Sequence, residues 1–397
     1  MAKIRFGIVG TGGRGLRSFG ANLRQHFADD TTVVALADRD PTRLRYAAER
    51  LGVERTYGAA AELIGARDVD VVVITTPDAT HAEIALEAIA AGKHVICEKP
   101  LATTIEDCNR VRAAAARSNR VFMVGFVLRY VPFYRTMRAA VVDGAIGAPL
   151  LVNAADNRRG ADYFRRWHRL RSNSGGLLVH KSCHLLDIVN WVIDRRPVSV
   201  SASGGVAVFT PKDWAGERCL TCPAKDTCPE YLDITQGELG RMYYEAEATS
   251  GYVRDVCVFN SEKDTVDHAA VSIEYADGVR ATYNLCLFAS YNRRDVSVWG
   301  AEGKAEGSEN GVDVVVTSRR HDREDRHRVK VAEGGHGGGD LGLLADALAA
   351  LKDGREPSAD LEAGYWSAVL GIAAEESVAQ GGRRLDLAEL GVTTDPT

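Results

Sequence analysis

The chain has 397 residues, 45% of them hydrophobic and 26% charged, which suits two domains with cores of their own. Forty-nine lysines and arginines against 54 acids give a formal net charge of −5, which argues against a general nucleic-acid binder. No apolar run approaches the roughly 18 residues of a membrane span and the N-terminus lacks a signal-peptide pattern, so a cytoplasmic protein is expected, with no membrane partner.

In chain order, Ile4 to Val9, Val33 to Ala37, Val69 to Thr75, His94 to Cys97 and Val121 to Val124 read as buried parallel strands. Helical patterns lie between them, at Thr42 to Leu51 and His81 to Ala91, which predicts a doubly wound α/β domain over residues 1–128. A second, α+β domain over 129–397 follows. Its runs Val198 to Val208, Ala269 to Tyr275, Val279 to Leu287, Asp295 to Trp299 and Val312 to Thr317 predict a large, mostly antiparallel open sheet. Asp277-Gly278 reads as a hairpin turn and Gly176 to Ile193 as one long apolar helix. The polar, Cys-bearing stretch at about 211–255 reads as an inserted loop or lid, and closing helices are expected within 341–380.

Gly10-Thr11-Gly12-Gly13-Arg14-Gly15 follows the first strand and opens a helix. Glycines there permit a tight turn and close approach of a pyrophosphate, and the helix N-terminus supplies free N–H groups. Asp38 ends the second strand, where an acid can bond the ribose hydroxyls of NAD and repel the extra phosphate of NADP; Arg39 beside it can stack on adenine. The alternative is an ordinary glycine turn with a solvated acid.

Thr75-Thr76-Pro77-Asp78 with His81, and Cys97-Glu98-Lys99-Pro100-Leu101, complete a pattern that resembles the glucose–fructose oxidoreductase, inositol dehydrogenase and rhizopine-catabolism (Gfo/Idh/MocA) family over nearly the whole chain. The resemblance implies a Rossmann domain that binds NAD through Gly10, Gly12, Gly13, Arg14, Gly15, Asp38, Arg39, Thr75, Thr76, Pro77, His81, Glu98 and Lys99. It implies hydride transfer at a secondary hydroxyl of a sugar or cyclitol in a homodimer or homotetramer, with Lys99 beside the reacting oxygen.

The second-domain signature runs from Gly175-Gly176 through His180-Lys181-Ser182-Cys183-His184 to Asp187. His184 falls on the family's histidine, and a neutral imidazole accepts a hydroxyl proton as hydride leaves. His180 stands where the family commonly has a carboxylate, and Lys181 follows. This surplus of acid/base groups favours a redox-neutral glycosidase that oxidises C3, eliminates the aglycone, adds water and reduces again. The alternatives are a net sugar or inositol dehydrogenase and a non-catalytic NAD-binding regulator. Tyr130 is a further candidate for proton handling, and Asp187 either orients His184 or forms an ion pair on the helix surface.

Arg158, Arg159, Arg165, Arg166, Arg169 and Arg171 crowd fourteen positions, interleaved with Tyr163, Phe164 and Trp167. Arginine forks bind carboxylate, sulfonate or phosphate oxygens, so an anionic glycoside such as a uronide or sulfoquinovoside is favoured; a solvated strip or subunit contact is the alternative. Arg129, Arg165, Arg166, Trp167, His168 and His336 are the candidate substrate residues. Cys219, Cys222 and Cys228 have spacing suited to a structural zinc with a fourth ligand from Cys257 or a histidine; free thiols are the alternative.

Overall fold

The computed structural model describes residues 2–330 and 333–393. Strands β1 (Ile4–Val9), β2 (Thr31–Ala37), β3 (Thr56–Tyr57), β4 (Val71–Ile74), β5 (His94–Cys97) and β6 (Phe122–Val124) form one parallel sheet in the order β3-β2-β1-β4-β5-β6. Helices cover both faces, so Val71, Val72 and Val73 are fully buried and the central strands read as unbroken apolar runs. The helix Pro41–Leu51 starts where Asp40 accepts the Arg43 N–H at 2.8 Å, and it stops at Gly52 in the left-handed region. The predicted strand and helix bounds hold to within two residues. The two-residue edge strand β3 was not predicted, because it is too short to carry an apolar run.

The second sheet holds nine strands: β7 (Pro149–Arg159), β8 (Pro197–Gly205), β9 (His268–Tyr275), β10 (Arg280–Cys286), β11 (Phe288–Gly300), β12 (Gly303–Ser308), β13 (Asp313–Ser318), β14 (Glu324–Arg328) and β15 (Leu385–Asp386). Their order is β14-β13-β12-β11-β7-β10-β9-β8-β15, antiparallel except for the β7–β10 pair. Gly278, at φ 80°, turns β9 into β10 as expected. β8 stops short of the predicted Val208 because the N–H groups of Ala207, Val208 and Phe209 bond the Asp267 carboxylate instead of a strand.

The helices Cys183–Ile193 and Leu361–Ala379 pack together beside this sheet and bury its apolar face. The long helix predicted over Gly176 to Ile193 is in fact two, Leu177–His180 and Cys183–Ile193, with Lys181 and Ser182 between them. At the break the His180 carbonyl accepts Lys99 Nζ at 3.0 Å and the Cys183 thiol at 3.2 Å. Gly176 sits at φ 105°, and a Cβ there would collide with the Glu375 carboxylate, which accepts the Leu178 N–H at 2.9 Å. Among the described residues, no helix is long and apolar enough to cross a membrane.

Candidate active site

The glycine loop leaves β1 at Gly10, φ 93°, and enters a helix over Arg14–Ala21. A Cβ on Gly15 would collide with the Gly10 carbonyl, so only glycine lets this helix close on the strand end. A cavity of about 670 Å³ opens here, lined by Gly10, Gly12, Asp38, Arg39, Thr75, Thr76 and Pro77. Burial opposes ionisation of Asp38, yet Arg43 at 2.8 Å and the N–H groups of Asp40 and Thr11 hold its carboxyl below the usual range. The Thr11 hydroxyl also donates to it, at 2.9 Å. A glycine-rich loop beside an ionised acid suits an adenine dinucleotide. Arg14 and Glu98 bond one another (Nε–Oε1, 2.7 Å), and Arg14 reaches Asp340 at 2.8 Å. The ring nitrogens of His81 face the Pro100 and Thr76 carbonyls, at 2.8 and 3.0 Å, which ties the two cofactor-side loops together.

A second cleft, of about 730 Å³, continues from Gly12 and Gly13 to the open sheet. Lys99, His180, Lys181, His184, Trp167, His168, Arg166 and His336 all line it, so the structure brings together most of the residues singled out from sequence. His180 Nδ1 lies 2.6 Å from Asp78 Oδ2. Burial pushes the Asp78 carboxyl up to about 7, and burial, with Lys99 and Lys181 nearby, holds His180 well below the usual imidazole range. His184 is likewise held neutral by burial and by Lys99, and among the described residues its Nδ1 has no hydrogen-bond partner. His168 lies 3.9 Å from Trp167 and 4.3 Å from His180 between ring centroids, and its Nδ1 is also unpartnered among the described residues.

Lys181 Nζ lies 2.5 Å from Asp156 Oδ2, and Arg158 and Arg294 crowd the same carboxylate at 2.5 and 3.2 Å. Three cations therefore share one buried acid, with Glu309 taking Arg294 at 2.7 Å. Burial pushes Lys181 down to about 7, whereas the cations hold Asp156 well below the carboxylate range. The arginines keep their charge, so Lys181 is the member of this cluster able to release a proton.

Several expectations fail on placement. The Tyr130 hydroxyl donates to Asp346 at 2.7 Å and accepts the Ala359 N–H, away from both cavities, so it is a packing group. Arg129 is spent on Asp187, at 2.6 Å, and on the Ser358 carbonyl; Asp187 therefore orients Arg129 and not His184. Arg165 is buried against Asp162, Cys219 and the Glu230 carbonyl. The arginine run is no single surface: Arg158, Arg159 and Arg166 face the larger cleft, Arg169 faces the cofactor cavity, and Arg171 pairs with Glu375. His336 reaches the cleft at φ 51° and bonds Asp340 at 3.1 Å. Cys219, Cys222, Cys228 and Cys257 surround one small cavity, yet no group of three or more His, Cys, Asp or Glu among the described residues is arranged to hold a metal, so the zinc expectation is not supported.

Sequence reasoning gave no role to Asp78, Asp156, Arg294, Tyr243 or Arg254. Asp78 stands inside the quoted Thr75-Thr76-Pro77-Asp78 run and was legible as a partner for a histidine. Asp156 and Arg294 meet only through the register of β7 with β11, which no local pattern announces.

A doubly wound domain carrying a glycine loop, joined to an open-sheet domain whose ionisable groups face that loop, defines a two-domain NAD-binding oxidoreductase. The sequence matches the oxidoreductase family's NAD-binding Rossmann fold over residues 4–126 and its C-terminal alpha/beta domain over residues 138–387; the chain belongs to the Gfo/Idh/MocA family. It is 30% identical to YteT of Bacillus subtilis over 94% of this chain and 95% of that protein. It is 28% identical to the myo-inositol 2-dehydrogenase of Thermotoga maritima over 72% of this chain and 82% of that one. A levoglucosan dehydrogenase, solved with NADH and levoglucosan, shares the fold at TM-score 0.76 and 23% identity, over 97% of this chain and all of that one.

Proposed function

We propose that this chain removes hydride from a secondary hydroxyl of a sugar, cyclitol or glycoside held between the glycine loop and the open sheet. The observation that carries this reading is the convergence of Lys99, His180 and His184 on the cleft that begins at Gly12. NAD, when bound, supplies the hydride acceptor. Lys99 Nζ, held at 3.0 Å by the His180 carbonyl, stands to hydrogen-bond the reacting oxygen and offset its developing charge. His184, which lines the same cleft and is held neutral by burial and by Lys99, accepts the hydroxyl proton. Asp78 fixes the His180 ring, and Trp167 offers a flat face on which a sugar ring packs.

Lys181 favours a second reading, redox-neutral glycoside cleavage. A lysine near 7 in the same cleft as His180 is a proton acceptor that a single alcohol oxidation does not require, and removal of a C2 proton does. The arginines bear less on substrate charge. Asp162 is shared by Arg165 and Arg166, and Asp156 with Glu309 balances two of the three cations near them, so much of the positive charge of this run is met within the protein. The test incubates protein and NAD⁺ with inositols, levoglucosan, and neutral, uronic and sulfonated aryl glycosides, following NADH absorbance and aglycone release together. NADH alone establishes a dehydrogenase. NAD-dependent aglycone release without NADH establishes the glycosidase. Intact NAD binding with neither signal sinks both.

A further inference from the structure

The stretch expected to be an inserted loop or lid at about 211–255 contains the helix Glu238–Ser250, and this helix lies against the first domain. Glu238 pairs with Arg17 at 2.8 Å and Arg50 at 3.1 Å, and at the other end the Thr249 hydroxyl reaches Asp40 at 3.1 Å. Between these anchors the helix crosses the glycine loop. The Tyr243 hydroxyl lies 2.8 Å from where a Cβ on Gly12 would stand, and Leu239 lies 3.3 Å from the same position on Gly13. Beyond the helix, the Arg254 guanidinium stacks on the Tyr243 ring at 3.7 Å from its centroid. Arg254 lines the cleft beside the glycine loop, and no carboxylate pairs with it among the described residues. Of its fellow arginines at these cavities, Arg14, Arg43, Arg158, Arg166 and Arg294 pair with an acid, whereas among the described residues Arg39, Arg159 and Arg169 do not; Arg254 alone of the unpaired ones stacks on Tyr243.

We propose that the helix Glu238–Ser250 and the segment to Arg254 form a clamp over the dinucleotide, in which Tyr243 and Arg254 hold its pyrophosphate. The argument is one of charge and reach. A half-buried guanidinium without an acid carries a desolvation cost that an anion offsets, and the anion nearest in kind is the diphosphate cradled by a Gly12-Gly13 loop. The phenol hydroxyl is aimed at the same loop. Because the clamp is tied down at both ends, dissociation of the cofactor requires it to lift, and a long-lived complex follows.

The inference rests on the NAD-binding reading, and the two fail differently. Binding of NADH, ADP-ribose and adenosine is measured on the full chain, with the NADH dissociation rate followed by fluorescence. Arg254→Gln is expected to weaken NADH and ADP-ribose by roughly ten- to a hundredfold, as for loss of a charge-assisted bond, and to leave adenosine unchanged. Tyr243→Phe keeps the ring, so it guards against a folding defect, and is expected to weaken the same two ligands severalfold; Glu238→Ala is expected to speed NADH release. Wild-type affinity for ADP-ribose in both Arg254→Gln and Tyr243→Phe overturns the clamp. Failure of the wild-type chain to bind NADH overturns the cofactor reading itself.

Discussion

Asp78 and His180 come from different domains and meet in a 2.6 Å hydrogen bond between Oδ2 and Nδ1. Asp78 follows β4 of the first sheet, whereas His180 ends a short helix of the second domain. The bond spans the cleft between the glycine-loop domain and the open sheet, so it sets the separation of the groups proposed to act on the substrate. Burial pushes Asp78 up to about 7 and holds His180 well below its usual range.

Asp78→Asn keeps the shape and removes the acid. Turnover is expected to fall about 10- to 100-fold, as for groups that orient a ligand or base, with NAD affinity unchanged. Steady-state kinetics beside a binding isotherm separates the two effects.

Lys99→Ala is expected to reduce turnover by about two to three orders of magnitude, on the scale of a lost oxyanion donor, and to spare cofactor binding. Retained turnover removes Lys99 from the assigned role.

Lys181→Arg preserves the positive charge beside Asp156 and abolishes proton release near neutral pH. If Lys181 accepts a substrate proton, turnover drops by about 100-fold or more and the limb of the pH–rate profile near 7 disappears. In a net dehydrogenase using His184, whose imidazole is held well below its usual range, Lys181→Arg leaves the pH–rate profile unchanged, so this variant also separates the two readings of the reaction.

Much of this arrangement is written in local sequence. The glycine loop, the Glu98-Lys99-Pro100 run and the Gly175-Gly176 signature are short-range patterns, and each falls at a cavity wall or a helix start in the structure. Asp156 and Arg294 are 138 positions apart and meet only through strand register, so nothing near either one reveals the pairing. The arginine run misled for a related reason. Arg165 and Arg166 are adjacent, but the chain turns between them, burying one against Cys219 and leaving the other in the cleft. Charge density along the chain says little about which arginines already have partners.

Stability should respond to pH through the raised acids. Burial pushes both Asp78 and Glu375 up to about 7, so each favours folding while protonated. That contribution is complete below the unfolded values near 4 and is lost as pH rises through about 7, while Asp340, held down to about 2 chiefly by His336 and Arg14 against its burial, acts in the opposite sense only in strong acid. Glu375→Gln is therefore expected to flatten the decline of thermal stability between pH 5 and 8. Gly176→Ala, placed against the same carboxylate at φ 105°, is expected to cost roughly 1–3 kcal/mol in denaturant unfolding.

The most direct test of hydride removal uses a ring-deuterated substrate from the inositol, levoglucosan and glycoside panel with unlabelled NAD⁺, and weighs the cofactor recovered after a single turnover. Deuterium carried from the ring carbon to the nicotinamide is the predicted result, quenched before re-reduction where turnover is redox-neutral. Turnover that leaves the cofactor unlabelled contradicts the account.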